Sequence, residues 1–139
     1  MAEAIFKHKV KEAGLEDKVD TIDSFGIIGF HTGDSPDSRS IRTCHKHGVP
    51  INHQSQQISK DDFYKFDYLM AMDEGHLSDL HFSKPRDSKC IVKLFGEWKT
   101  DDKLNKVVVD PYYSNSKAFE YNFQQLSHFT DVFIQQELS

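Results

Sequence analysis

The sequence has little cysteine, with only Cys44 and Cys90 among 139 residues. Two isolated cysteines fit neither the disulfide framework of a small secreted protein nor the paired spacing of a zinc site, and a reducing cytoplasm is the simplest location. No His-Glu-x-x-His motif occurs, and His45 and His47 are two residues apart, so they do not share a helix face. We therefore expect no metal site, and we expect both cysteines to be ordinary core residues.

Long apolar runs and an excess of basic residues are also missing. No apolar run approaches the roughly 18 residues that a membrane-spanning helix needs, and the first residues include Glu3 but no apolar segment typical of a signal peptide. The net charge of −5 makes nucleic acid an unexpected partner. Eleven phenylalanines supply bulky core side chains, and at this length we expect residues 1–139 to form a single domain.

The hydrophobic pattern predicts short strands that alternate with helices. Strands are expected over residues 21–25, 66–72 and 89–95, and a β-branched run occupies residues 107–109. Helices are expected at residues 2–13 before Gly14, from Pro36 to His47 before Gly48, as a turn after Ser59, from Asp73 to Leu80, and at residues 116–138. The last helix is expected to bury an apolar stripe of Ala118, Phe119, Phe123, Leu126, Phe129, Val132 and Phe133. This alternation is typical of an α/β fold with a parallel sheet, in which the loops that follow the strands gather at one edge and bind the ligand.

The stretch from Val107 to Tyr113 is the clearest candidate for a catalytic role. Three valines favour extended backbone, and Pro111 disfavours a helical conformation for Asp110. Asp110 is therefore expected on a stiff loop beside Tyr112 and Tyr113. Apolar neighbours raise the pKa of a carboxyl group, so Asp110 is a candidate general acid. A strand end followed by a turn with two surface tyrosines is the plainer interpretation of the same residues.

Several motifs, taken in order and spacing, resemble the low-molecular-weight protein-tyrosine phosphatases along the whole chain. The motifs are Ile22-Asp23-Ser24-Phe25-Gly26, Gly33-Asp34-Ser35-Pro36-Asp37-Ser38-Arg39, residues 53–58, residues 66–68 with 72–74, Leu94-Phe95-Gly96 with Trp98, and Asp110-Pro111-Tyr112-Tyr113. The last is the most diagnostic. The resemblance implies a three-layer α/β/α fold with a four-stranded parallel sheet. It also implies phosphotyrosine hydrolysis through a cysteinyl-phosphate, without a cofactor.

The resemblance also implies roles for individual residues. Asp110 would protonate the leaving phenolate and later act as base on the hydrolytic water. Tyr112 and Tyr113 would line the substrate cleft, and Phe30 would form a wall against the substrate ring. The substrate would be a phosphotyrosine protein or a small aryl phosphate.

Three further residues match family positions with supporting roles. Ser24 and His53 match a buried hydrogen-bond network that supports the phosphate loop. Asp73 matches an acidic residue that opens a helix, which is a structural role. No metal or cofactor enters this set.

The chain departs from the family at the nucleophile. The family pattern is Cys-x-x-x-x-x-Arg followed by Ser-Pro, a loop whose backbone N–H groups and arginine hold the phosphate. Here Pro50 stands six residues after Cys44, and Gly96 stands six residues after Cys90, so neither cysteine can be that nucleophile. Because Met1-Ala2-Glu3-Ala4 resembles the family sequence just after the loop, we expect the first strand and the loop to lie ahead of it. The chain as written is therefore expected to be incomplete and inactive.

Two other interpretations remain open. One is a non-catalytic, phosphatase-like module that binds a partner through Tyr112, Tyr113 and the cleft rim. The other is an arsenate reductase with the same fold, which would need more redox cysteines than the two present. In the chain as written, absence of the first strand would expose strand edges, through which chains could pair into an oligomer.

Overall fold

A two-stranded parallel sheet lies at the centre of the computed structural model, which describes residues 1–25, 38–51, 57–109 and 116–138. Strand β1 is Tyr68–Ala71 and strand β2 is Ile91–Leu94, with Tyr68 opposite Ile91 and Ala71 opposite Leu94. The helices are α1 Ala2–Glu12, α2 Ser38–Lys46, α3 Asp62–Lys65, α4 Glu74–Ser83 and α5 Ser116–Phe133. Shorter helical turns cover Glu16–Lys18, Phe95–Trp98 and Ile134–Leu138. Since α4 connects two parallel strands, the predicted α/β class is confirmed.

Alternate residues of β1 face opposite sides of the sheet. Leu69 and Ala71 pack in one apolar cluster with α4 and the short α3, whose other members are Phe63, Leu80, Cys90, Val92 and Leu94. Tyr68 and Met70 pack against a second cluster, formed mainly by α1, α5 and the turn after β2. A strand with side chains packed on both faces is typical of a parallel sheet between two layers of helices. This arrangement agrees with the predicted three-layer fold.

Two helices end as the sequence predicts, at glycines with left-handed backbone. Gly14 has φ 70° and Gly48 has φ 74°, a conformation that costs glycine little because it has no Cβ atom. After α1, the N–H of Leu15 donates to the carbonyl of Val10 at 3.0 Å, and after α2, the N–H of Val49 reaches back to a carbonyl of the last helical turn in the same way. Both ends are Schellman motifs, which satisfy the last carbonyls of a helix.

Some predicted boundaries differ from the structure. Residues 21–25 are not a strand, because extended backbone becomes a strand only when a neighbour completes the ladder. In the described ranges, β1 and β2 pair with each other. Both are shorter than predicted, and Phe95 already belongs to the turn that follows β2. Helix α4 continues to Ser83, beyond the predicted end at Leu80, and stops just before Pro85.

Helix α5 shows the predicted apolar stripe. Six of the seven predicted stripe residues are buried: Phe119, Phe123, Leu126, Phe129, Val132 and Phe133. Ala118 is only half-buried. Beside the stripe, α5 also buries the polar side chains of Asn122, Gln125 and Thr130, which the apolar pattern did not predict.

Candidate active site

Most of the predicted site residues lie outside the described part of the chain. These are Phe30, His53, Asp110, Tyr112 and Tyr113. Ser24 is described, and so are residues 105–109, which lead into Asp110, and the helix α5 that begins at Ser116. The structure therefore describes the segments that precede and follow the candidate general acid.

The segment that leads into Asp110 is attached to the end of β1. The backbone N–H of Val108 donates a 2.8 Å hydrogen bond to the carbonyl oxygen of Met72, the residue that follows β1. The Val108 side chain is buried, whereas that of Val109 is 68% exposed. The chain thus emerges from the core immediately before Asp110, at the carboxyl end of β1. This is the edge at which ligands bind in open parallel sheets.

The turn after β2 packs against the same segment. A Cβ atom on Gly96 would overlap the carbonyl oxygen of Lys106, so only glycine allows this close approach. Next to it, the ammonium of Lys106 lies 2.7 Å from the carboxylate of Glu97. The hydrogen bond from Lys106 to Glu97 raises the pKa of Lys106, so this cation persists at high pH. The segments after both strands therefore meet beside residues 106–108.

Helix α5 holds the other side of the segment through three polar side chains. Gln125 Nε2 donates to the carbonyls of Asn105 at 2.9 Å and Val107 at 3.0 Å. Asn122 Nδ2 donates to the carbonyl of Val109 at 2.9 Å, and the hydroxyl of Tyr121 accepts from the N–H of Asn105 at 2.9 Å. The backbone that precedes Asp110 is therefore fixed from two directions.

Asp73 has the structural role that the sequence predicted. It follows Met72 at the end of β1, and its Oδ1 accepts a 2.8 Å hydrogen bond from the backbone N–H of His76 in the first turn of α4. A carboxylate at this position satisfies an otherwise unpaired helix donor and interacts favourably with the helix dipole. It thereby fixes where the chain turns from β1 into α4.

The hydroxyl of Ser24 is hydrogen-bonded to helix α1, and its implied role in supporting the phosphate loop stays a prediction. Its hydroxyl donates to Glu3 Oε1 at 3.0 Å, and the other carboxylate oxygen of Glu3 accepts from Lys7 Nζ at 3.0 Å. Glu3 is buried in the first turn of α1. The network therefore ties residues 21–25 to the beginning of α1. The implied partner His53 lies outside the described residues.

The residues that hold these segments include three that were not predicted from the sequence: Glu3, Asn122 and Gln125. Glu3 had a local signal, because it is an acidic residue in the first turn of a helix with alanine and isoleucine beside it. Asn122 and Gln125 are three residues apart and flank the apolar stripe of α5, so both fall on the inward side. A buried amide on such a helix implies a backbone or side-chain partner.

Neither cysteine has the environment of a nucleophile. Cys44 is fully buried, and burial raises the pKa of its thiol, although the nearby α-amino group of Met1 opposes this effect. Cys90 is also buried, and burial raises the pKa of its thiol as well. A reactive cysteine needs a lowered pKa and access to its substrate. The prediction that both are core residues is confirmed.

No three His, Cys, Asp or Glu side chains within the described ranges stand close enough together to hold a metal ion. None of the helices in this part of the chain combines the length and apolar character that crossing a membrane requires.

Comparisons with known proteins place the chain in a family. A family model described as low molecular weight phosphotyrosine protein phosphatase matches residues 1–138. The Saccharomyces cerevisiae protein of that name is 45% identical over 139 residues, which cover 99% of this chain and 86% of that protein. The Schizosaccharomyces pombe protein is 40% identical over 134 residues, which cover 96% and 85% respectively. The crystal structure of Primo-1 matches with a TM-score of 0.92 at 34% identity, covering 99% of this chain and 89% of the other. The chain belongs to the low molecular weight phosphotyrosine protein phosphatase family.

Proposed function

We propose that this chain carries the acid–base and substrate-facing part of an enzyme that hydrolyses phosphotyrosine in proteins, or small aryl phosphates, through a cysteinyl-phosphate. The hydrogen bond between Val108 and Met72 is the observation that carries the proposal. It supports a position for Asp110 at the carboxyl end of β1, where a parallel sheet binds its ligand. Both buried thiols fit a reducing compartment, and the proposal includes a cytoplasmic location.

Asp110 serves two steps of the proposed reaction. In the first, a thiolate attacks phosphorus, the bond from phosphorus to the phenolic oxygen breaks, and Asp110 gives its proton to that oxygen. In the second, the Asp110 carboxylate takes a proton from water while the water oxygen attacks phosphorus. The sulfur–phosphorus bond then breaks, and the thiolate is released. A positioned acid or base of this kind contributes about 10²–10⁴ in rate.

The other predicted residues assist this chemistry. Phe30, Tyr112 and Tyr113 pack around the substrate ring, and Ser24 and His53 support the phosphate loop. In the 139-residue chain, neither Cys44 nor Cys90 begins a Cys-x-x-x-x-x-Arg sequence. We therefore propose that this chain by itself does not turn over aryl phosphates by this route.

The test compares the chain with a loop-extended form, in which a strand and a Cys-x-x-x-x-x-Arg-Ser-Pro loop of the family pattern are joined ahead of Met1. We expect p-nitrophenyl phosphate and phosphotyrosine peptide to be hydrolysed by the loop-extended form only. Asp110→Asn in that form should lower kcat/KM most for substrates with poor leaving groups, because these need the proton most.

Two outcomes would contradict the proposal. The first is turnover by the 139-residue chain that disappears in Asp110→Ala, since it would show catalysis without the family loop. The second is an equal loss in Asp110→Asn for aryl phosphates of widely different leaving-group pKa. A loop-extended form that binds phosphotyrosine peptide without turnover would favour the non-catalytic module instead.

A further inference from the structure

We propose that Gln125, together with Asn122, is a positioning residue for the general acid: the two amides on α5 fix the backbone that leads into Asp110. The inference rests on the proposed role of Asp110. It concerns residues on a helix, far from Asp110 in the sequence.

Gln125 is placed to donate hydrogen bonds. Its side chain is fully buried, and Nε2 reaches the carbonyls of Asn105 at 2.9 Å and Val107 at 3.0 Å. The amide oxygen Oε1 is buried and has no hydrogen-bond partner among the described residues. Only the nitrogen of this amide has hydrogen-bond partners, so its two donated hydrogen bonds set the orientation of the side chain. The reverse orientation would direct the amide oxygen at two carbonyl oxygens. Gln125 therefore holds the backbone of residues 105–107 in place, in addition to packing within α5.

Asn122 continues the same pattern toward Asp110. It is buried, and Nδ2 donates to the carbonyl of Val109 at 2.9 Å, one residue before the acid. The carbonyls held by α5 belong to residues 105, 107 and 109, whereas the N–H of Val108 between them donates to Met72. This alternation is that of an extended chain with two hydrogen-bonded edges. It fixes the direction of the backbone that enters Asp110.

Such anchoring matters for a general acid. The carboxyl group must be within hydrogen-bond reach of the leaving oxygen, and a misplacement of about 1 Å caused by a distant mutation can cost about 10²-fold in rate. The anchors are amides that do not ionise, so they hold the segment at any pH at which the fold is intact. The apolar stripe of α5 in turn fixes the anchors in the core.

The test uses isosteric apolar variants that remove the donors. Gln125→Met and Asn122→Leu keep the approximate volume of each side chain but cannot bond the carbonyls. Gln124→Met is the matched control, since Gln124 is exposed on the same helix and contacts Glu120 instead. If Gln125→Met fails to fold, Asn122→Leu decides, because it removes one hydrogen bond instead of two.

The first measurement uses the 139-residue chain and does not depend on activity. We expect hydrogen exchange of the Val108 amide to become about tenfold faster in both variants, through local opening. Exchange at the amides of β1 should stay unchanged, and Gln124→Met should leave all of these amides unchanged. No change at Val108, or an equal acceleration at all core amides, overturns the positioning role whatever Asp110 does.

The second measurement uses the loop-extended form. The two variants should lower kcat/KM by about 10- to 100-fold for phenyl phosphate and much less for p-nitrophenyl phosphate. In an Asp110→Asn background they should add no further dependence on the leaving group, because the positioned group is gone. Equal losses for both substrates overturn the inference. If Asp110→Asn alone shows no dependence on the leaving group, it is the proposed function that fails.

Discussion

Gly96 lies against the backbone of Lys106 so closely that a methyl group on residue 96 would overlap the Lys106 carbonyl. This contact joins the turn after β2 to the segment that leads toward Asp110. A substitution at residue 96 therefore acts on both segments at once.

We expect Gly96→Ala to lower the free energy of unfolding by about 1–3 kcal/mol, the usual cost of overpacking a tight site. The control is Gly75→Ala in α4, where the nearest atom to the new Cβ, Asp73 Oδ1, is at an ordinary 3.5 Å. The control should raise stability by about 0.5–1 kcal/mol, because alanine is the better helix former. Urea unfolding followed by circular dichroism measures both. Equal effects of the two substitutions would show that the contact at Lys106 is unimportant.

Asp73→Ala should destabilise the chain by about 1 kcal/mol, because the His76 N–H at the start of α4 loses its acceptor. The matched control is Asp79→Ala, on the same helix at an exposed position. That substitution should change stability little, since alanine suits a helix interior. The midpoints of urea unfolding measure the stability change caused by each substitution. A loss at Asp79 as large as that at Asp73 would argue against capping as the reason.

Both cysteines should resist alkylation in the native chain. Burial raises the pKa of the Cys44 and Cys90 thiols, so less of the reactive thiolate is present at a given pH, and neither sulfur is accessible. We expect iodoacetamide at pH 8 to label both sites slowly in buffer and rapidly in urea. Mass spectrometry of the labelled chain measures this. Rapid native labelling of Cys44 would mean that its surroundings activate the thiol, contrary to its proposed structural role.

The phenol of Tyr64 should titrate above its ordinary range. Its hydroxyl donates a 2.6 Å hydrogen bond to Asp87, and this bond, with smaller effects of desolvation and of the Asp87 charge, raises the pKa of Tyr64. Because the pKa of Tyr64 is higher in the folded than in the unfolded state, the protonated phenol stabilises the fold at pH values below the ordinary tyrosine pKa. This contribution is lost as the pH rises through the folded value.

Asp87→Asn tests the cause of that shift. The substitution should move the pKa of Tyr64 down toward the ordinary tyrosine value, as followed by ultraviolet absorbance at 295 nm. Asp79→Asn, at an exposed position on α4, is the control and should leave the titration of Tyr64 unchanged. An unchanged Tyr64 titration in Asp87→Asn would contradict the assigned hydrogen bond.

Features that depend on local chemistry were predicted well from the sequence. Gly14 and Gly48 end their helices because a left-handed residue is needed there, and glycine supplies it within a few residues of chain. Asp73 caps α4 through a bond to a residue three positions later. The α5 stripe follows from helical spacing alone.

Features that depend on distant partners were not predicted. Residues 21–25 have a strand-like sequence, but strand formation is decided by whether a neighbour pairs with them. The partners of Gln125 lie 18 and 20 residues away in the sequence, and no periodicity in α5 points to them. The local sequence suggested Asp110 as a general acid, and the family resemblance suggested the substrate-facing roles of Tyr112 and Tyr113.

The amides of α5 also have a consequence for association between chains. The carbonyls of residues 105, 107 and 109 already accept hydrogen bonds from the helix, and α5 covers that side of the segment. A second molecule therefore finds no open row of acceptors there to add a strand. Many β-proteins protect such sides with lysine, proline or a bulge. Here a helix with two amides removes a template for aggregation.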